Sequence, residues 1–182
     1  MGPIDPDEQL MRKVAAGQAD HLEPLIRRYA SQVLTFIERM IGDRHRSEEL
    51  FQEVFLAVWK NRNQYEYPRP FRPWLFTIAV NKCRELHRRP LLRAWTTLDD
   101  VAPVQAAPSA EDSAIASETA ALVADAVRHL PEQQRAVVVL RIWHGLSYAE
   151  IAEVVDRNTA TVRSNMHHGL LSLRKALEPK LV

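Results

Sequence analysis

The stretch LPEQQRAVVVLRIWHGLSYAEIAEVVDRNTATVRSNMHHGLLSLRKAL, Leu130 to Leu177, decides the fold. Within it Ser147-Tyr148-Ala149-Glu150 has the spacing of a capping box: the serine oxygen can accept from the amide of Glu150 while that carboxylate reaches back to the amide of Ser147. A helix starts there, with Ile151, Ala152, Val154 and Val155 as its apolar side. Asp156 tolerates a turn, and Asn158 or Thr159 caps a second helix through Val162, Met166, Leu170, Leu171, Leu173 and Leu177. Upstream, Pro131 opens another helix that ends near Gly145. Two short helices about a tight turn, the second bearing polar and basic side chains, fit a helix-turn-helix whose second helix enters the DNA major groove. An ordinary αα-hairpin has the same outline, so this segment alone leaves both readings open.

Working toward the N-terminus, the spacing predicts a helix from Asp20 to Ile41 with Leu22, Leu25, Ile26, Tyr29, Val33, Ile37 and Met40 on one stripe, stopped by Gly42. Ser47 reads as the N-cap of a further helix, Glu48 to Lys60. Leu50, Phe51, Val54, Phe55, Val58 and Trp59 form its buried face, and Glu49, Gln52 and Glu53 lie opposite. The proline-broken stretch Tyr65 to Pro73 reads as a loop, with Pro73 at the first position of a helix from Trp74 to Arg89. Residues 96 to 117 are rich in Ala, Pro, Ser and acids and too poor in apolar anchors to fold alone, and helical periodicity resumes at Glu118. The expectation is an all-α chain of two small helical domains, 1–92 and 118–182, joined by a flexible acidic linker over 93–117.

Composition agrees. The chain has 182 residues with 46% hydrophobic and 26% charged, which is enough apolar material for one ordinary domain or two small ones and excludes wholesale disorder. Its one cysteine, Cys83, allows neither an internal disulfide nor a multi-cysteine zinc site. The acidic N-terminus lacks the basic and apolar regions of a signal peptide, and no segment approaches the ~18 apolar residues a membrane span needs. These features predict a cytoplasmic protein without membrane insertion. Net charge is only +1, yet residues 60–95 carry +7 while 96–126 hold six acids and no base. So strong a local asymmetry readmits a polyanion as partner.

Three motifs in this order resemble the sigma-70 family of bacterial transcription initiation factors, in its small two-domain ECF (extracytoplasmic function) group. EELFQEVFLAVW, Glu48 to Trp59, is similar to region 2.2. FRPWLFTIAVNKCRELHRR, Phe71 to Arg89, is similar to regions 2.3 and 2.4, and Leu130 to Leu177 is similar to region 4. The resemblance covers the chain from about Gly17 and implies a factor that binds core RNA polymerase and directs it to promoters by reading the −10 and −35 elements.

By that resemblance Glu49, Gln52 and Glu53 contact core polymerase, their i, i+3, i+4 spacing placing them on one face. Promoter melting calls for a cationic, aromatic surface that holds single strands. The resemblance assigns the −10 element to Tyr65, Arg69, Phe71, Arg72, Asn81, Lys82, Arg84 and Arg88, with Tyr67 flanking the loop; the asparagine amide suits a base edge. Trp74, by its spacing, reads as mostly core. The acidic linker is implied to thread polymerase channels later occupied by RNA. The −35 element falls to Arg157, Thr161, Arg163, Ser164, His167 and His168. Here the chain departs from the family, with Asn165-Met166-His167-His168-Gly169 where arginines are common, which lowers the expected salt dependence. Gly169 also carries the ~1 kcal/mol propensity cost of a helical glycine. An anti-sigma factor is a further partner class that the family brings and no residue reveals.

No HExxH, glycine-rich phosphate loop, nucleophile elbow or paired catalytic carboxylates occur, so neither enzymatic activity nor a cofactor or metal is expected. Adjacent on a helix, His167 and His168 point about 100° apart and cannot share one metal without distortion. The competing reading is a helix-turn-helix regulator acting without polymerase. It accounts for residues 130–177 and leaves the Glu49 face and the basic block unexplained.

Overall fold

The computed structural model describes residues 6–94 and 114–180, with side chains placed over 6–88 and 119–179. Among them the backbone forms eight α-helices and no strand. The first lobe holds α1 (Asp7–Ala15), α2 (Leu22–Ile41), α3 (Arg44–Lys60) and α4 (Phe71–Ala94). The second holds α5 (Ala114–Arg128), α6 (Glu132–Ile142), α7 (Tyr148–Val155) and α8 (Thr159–Leu177). Of the expected linker, residues 95–113 lie outside the described residues, while α5 begins four residues before the expected Glu118.

Local chemistry sets most boundaries. Gly42 ends α2 at φ 74°, a left-handed angle that glycine adopts without strain. Asp43, rather than Ser47, caps α3: its carboxylate accepts from the Arg46 amide at 3.1 Å. Ser47 lies one turn inside, fully buried, its hydroxyl donating to the Asp43 carbonyl at 2.6 Å. A buried helical serine satisfies itself on the preceding turn, which sequence spacing alone does not distinguish from a cap.

α4 starts at Phe71, which puts Pro73 third in the helix instead of first, still within the turn whose amides need no intrahelical partner. The Phe71 amide is satisfied by the Glu8 carboxylate of α1 at 3.2 Å. The helix continues past the expected end at Arg89, through Pro90, to Ala94. α1 itself went unread in the sequence, although Leu10, Met11 and Val14 are buried at helical spacing.

α2, α3 and α4 pack around Phe36, Ile37, Val54, Phe76 and Val80, and α6, α7 and α8 around Val138, Leu140, Ile151 and Val162. The two lobes share one core: α2 packs on α5 and α6, and α4 on α7. Arg135 of α6 donates to the Met40 carbonyl at 2.6 Å and to Leu130 at 3.0 Å, so one guanidinium satisfies the orphan end of α2 across the interface. Arg39 stacks on Trp143, its guanidinium carbon 4.2 Å from the ring centroid. His144 is buried against Phe36 and Phe76 at 5.9 and 4.8 Å between ring centroids.

Candidate nucleic-acid interface

The helix-turn-helix forms as its caps dictate. Ser147 and Glu150 make both halves of the capping box, at 3.2 and 2.7 Å, and the bond from the Ser147 amide holds the Glu150 carboxyl below its ordinary pKa. Asp156 ends α7 in the left-handed region at φ 54°, and Asn158, not Thr159, caps α8 by accepting from the Thr161 amide at 2.8 Å.

These caps aim α8. Arg163, Ser164, His167 and His168 are exposed along it, Thr161 is half-buried, and Arg157 lies exposed at the turn with its guanidinium on the Asp156 carbonyl at 2.7 Å. Tyr148 of α7 lies between two cations the sequence reading did not connect: Arg141 at 5.0 Å and Arg163 at 5.7 Å from its centroid. Gly169 has a packing reason. A Cβ there would stand 2.7 Å from a methyl of fully buried Val138, so the glycine is what allows α8 to approach α6.

The first lobe presents its expected residues differently. Phe71 is fully buried and Tyr65 is 6% exposed. Both lie in an aromatic cluster with Tyr29 and Trp74 and offer no free ring to a base. Trp74 is core, as its spacing indicated. The buried Tyr65 hydroxyl donates to the Arg69 carbonyl, which fixes the proline loop, and burial pushes the pKa of Tyr65 well above that of a free phenol. The aromatic residue that the loop turns outward is Tyr67, 47% exposed.

The cations of this surface mostly have partners in the second lobe. Arg72 donates to the His144 carbonyl, and Arg84 lies 3.7 Å from Glu132 and 3.3 Å from the Val155 carbonyl. Arg69 approaches Glu153 of α7 at 3.9 Å. Burial lowers the pKa of Arg84, Glu132 partly opposing the shift. Lys82 is drawn the other way, bridging Glu53 of α3 at 3.3 Å and Glu85 at 3.2 Å, so an expected −10 contact touches an expected polymerase contact. Of the expected set on α4, only Asn81 and Arg88 are exposed.

On α3, Glu49 and Gln52 are exposed and Glu53 is half-buried, forming the continuous polar face that their spacing implied. Leu56, 57% exposed, extends it by one turn as an apolar element that sequence reading had not singled out. Cys83 is fully buried, its thiol pushed up to about 12 by burial, and so is chemically quiet. Among the described residues no three His, Cys, Asp or Glu side chains are grouped to hold a metal ion.

Residues 25–90 match the family Sigma-70 region 2 and residues 120–173 match Sigma-70, region 4. The chain is 32% identical to the RNA polymerase sigma factor CarQ of Myxococcus xanthus over 92% of this chain and 95% of that protein. It is 25% identical to the ECF RNA polymerase sigma factor SigW of Bacillus subtilis over 92% and 94% of the two chains. Its fold is similar to that of CnrH, solved in complex with the cytosolic domain of CnrY, with a TM-score of 0.75 over 96% of this chain and 99% of that one at 23% identity. The chain belongs to the sigma-70 family of RNA polymerase sigma factors, in its ECF group.

Proposed function

We propose that this chain initiates transcription by carrying core RNA polymerase to promoters through three separate surfaces. The α3 face of Glu49, Gln52 and Glu53, with Leu56 beside it, docks on a basic surface of polymerase. The loop before α4 and the residues Asn81, Lys82, Arg84 and Arg88 hold the −10 element as it melts, with Arg69 and Arg72 supplying phosphate charge. α8 reads the −35 duplex through Arg163, Ser164, His167 and His168, with Arg157 and Thr161 at its start. Residues 1–92 and 118–182 act as the two functional units, joined by 93–117, in the cytoplasm where polymerase and promoters meet.

The single observation that carries this reading is the exposed acid-amide face of α3 in the same chain as a fully capped helix-turn-helix. A regulator that only binds duplex DNA has no use for it. Tyr65 and Phe71, being core, shape the loop instead of touching bases. Because Arg69, Arg72 and Arg84 are engaged by the second lobe, the lobes separate when polymerase and DNA are bound.

Multi-round transcription on fragmented genomic DNA, with core polymerase and with or without this chain, tests the reading. The expected result is a set of new, protein-dependent RNA 5′ ends sharing upstream −10 and −35 sequences. No new ends, together with a specific footprint by the chain alone, would instead make it a helix-turn-helix regulator.

A further inference from the structure

The turn between α6 and α7 inserts the His144 ring into the first lobe. The residue is 6% exposed and its ring lies against Phe36 of α2 and Phe76 of α4, both fully buried. The turn itself is pinned within its own lobe. The Leu146 amide donates to the Leu140 carbonyl at 3.1 Å, the Arg141 guanidinium donates to the Leu146 carbonyl at 2.8 Å, and the Leu146 side chain is fully buried. With the backbone held this way, the ring reaches water by parting from α2 and α4, not by a swing of the turn. It belongs to one lobe and is seated in the other.

The seat suits a neutral ring. Its Nε2 is buried and finds no hydrogen-bond partner among the described residues, and the same holds for Nε of Arg39 and Nε of Arg72. The charges that act on the ring are both cations: Arg72 of α4, which donates to the His144 carbonyl, and Arg39 of α2. The neighbouring acids answer to those cations instead. Glu38 of α2 acts on Arg39, and Glu150 of α7 acts on Arg72 while its carboxylate accepts from the Ser147 amide at 2.7 Å. A proton on the ring would therefore bring a third positive charge and an unsatisfied donor into a site short of acceptors.

We propose that His144 is a proton-sensitive latch between the lobes: neutral, it holds them together, and protonated, it leaves its seat, so that the lobes part and Arg72 is freed. Burial lowers the seated ring from 6.5 to about 4, with Arg72 and Arg39 adding to the shift, whereas a ring in water keeps its ordinary value. The open form thus takes the proton first, and this one group raises the ratio of open to closed chains about tenfold between pH 7.5 and pH 5.5. His87 of α4, also lowered by burial and 3.8 Å from Glu132 of α6, lies in the same interface and acts in the same direction. What opening does for DNA binding rests on the sigma factor reading; the opening itself does not.

The test follows lobe separation in the full chain without polymerase, by single-molecule fluorescence transfer between dyes on Ser31→Cys of α2 and Ser172→Cys of α8, both exposed positions. Cys83 is fully buried with its thiol pushed up to about 12, so it does not compete for label. The ratio of low-transfer to high-transfer molecules should rise about tenfold or more from pH 7.5 to pH 5.5, with an unchanged far-UV circular dichroism spectrum. In His144→Phe, which keeps a ring in the seat and takes no proton, the rise should be about tenfold smaller. His144→Gln, neutral and smaller, should blunt the rise in the same way, and it carries the test if phenylalanine does not fit.

An unchanged ratio in the wild type would overturn the proposal. So would an equal rise in both variants, which would assign the proton to His87 or to the ion pairs of Arg69 and Arg84. A loss of helicity in step with the rise would overturn it too, because that marks unfolding and not lobe separation. A chain that opens with acid yet yields no protein-dependent RNA 5′ ends would sink the sigma factor reading and leave the latch standing.

Discussion

The two surfaces proposed to meet promoter DNA are kept in opposite states. On α8, Arg163, Ser164, His167 and His168 stand in solvent. On the first lobe, Arg69, Arg72 and Arg84 are paired with Glu153, the His144 carbonyl and Glu132 of the second lobe. A cation already held by a carboxylate or carbonyl gives up that partner before it gains a phosphate, so it adds less net attraction. The second lobe thus presents α8, proposed to read duplex, while covering the charge of the surface proposed to hold single strands. The covered surface is the one whose target exists only after a promoter opens, which is the sense in which the two states fit the order of initiation.

The largest expected effect concerns a third surface, open like α8 and proposed to face polymerase. Glu49→Lys with Glu53→Lys should lower affinity for core polymerase roughly thousandfold, about 4 kcal/mol, by setting like charges against a basic partner. The bond lost from Lys82 to Glu53 is partly exposed and worth under ~1 kcal/mol, so the circular dichroism spectrum should be unchanged and the melting temperature nearly so. Full affinity in the double variant would place docking elsewhere and remove the reason to separate the α3 face from the covered surface.

Next in size is the pH dependence of the closed arrangement itself. Burial lowers His144 from 6.5 to about 4, and Arg72 and Arg39 add to the shift. Between those values the unfolded chain binds the proton and the folded chain does not. Stability should fall as pH drops through that window, by up to about 3 kcal/mol, while this contribution is complete above pH 7. His87, also lowered by burial, acts in the same direction. Urea unfolding at pH 7 and pH 4.5 should show a smaller difference for His144→Phe than for wild type, the ring remaining packed on Phe36 and Phe76. An undiminished difference would mean that the interface is not what senses the proton.

What could be read from the sequence divides along similar lines. The Ser147 to Glu150 capping box, the Gly42 stop and the polar face of α3 were legible because each depends on residues within four positions of one another. The cap of α3 was misplaced because Asp43 and Ser47 are both good capping residues, and only burial shows that Ser47 is inside. Tyr65 and Phe71 looked like base-stacking aromatics beside arginines. Their burial comes from packing with Tyr29 and Trp74 beside α1, and α1 is a short helix whose three buried positions were overlooked. The pairings of Arg72, Arg84 and Arg135 across the lobes join residues roughly 50 to 95 positions apart and leave no periodic trace.

Gly169 sharpens the open side of the comparison. Sequence propensity alone predicts that Gly169→Ala gains about 1 kcal/mol. The added Cβ would meet the Val138 methyl at 2.7 Å, and Val138 is a fully buried, β-branched residue with little freedom to turn away. The expected outcome is a net loss of about 1–2 kcal/mol in chemical denaturation, overpacking outweighing propensity. A stabilised variant would show that α8 can ride away from α6, so that its exposed face is not rigidly aimed.

The smallest effect tests whether α8 holds DNA by charge at all. Arg163→Ala should reduce holoenzyme affinity for a −35 duplex roughly fivefold to tenfold, about 1 kcal/mol, and lower the salt slope by ~0.9 if its guanidinium reaches one phosphate. Ser164→Ala, one residue along and equally exposed, removes a hydroxyl and no charge, and should leave the slope unchanged while altering affinity at a single promoter position. If both variants keep the wild-type slope, Arg163 is occupied by the Tyr148 ring it faces at 5.7 Å. The open surface would then be as restrained as the covered one, with an aromatic ring on its own lobe in the place that Glu132 and the His144 carbonyl take for α4.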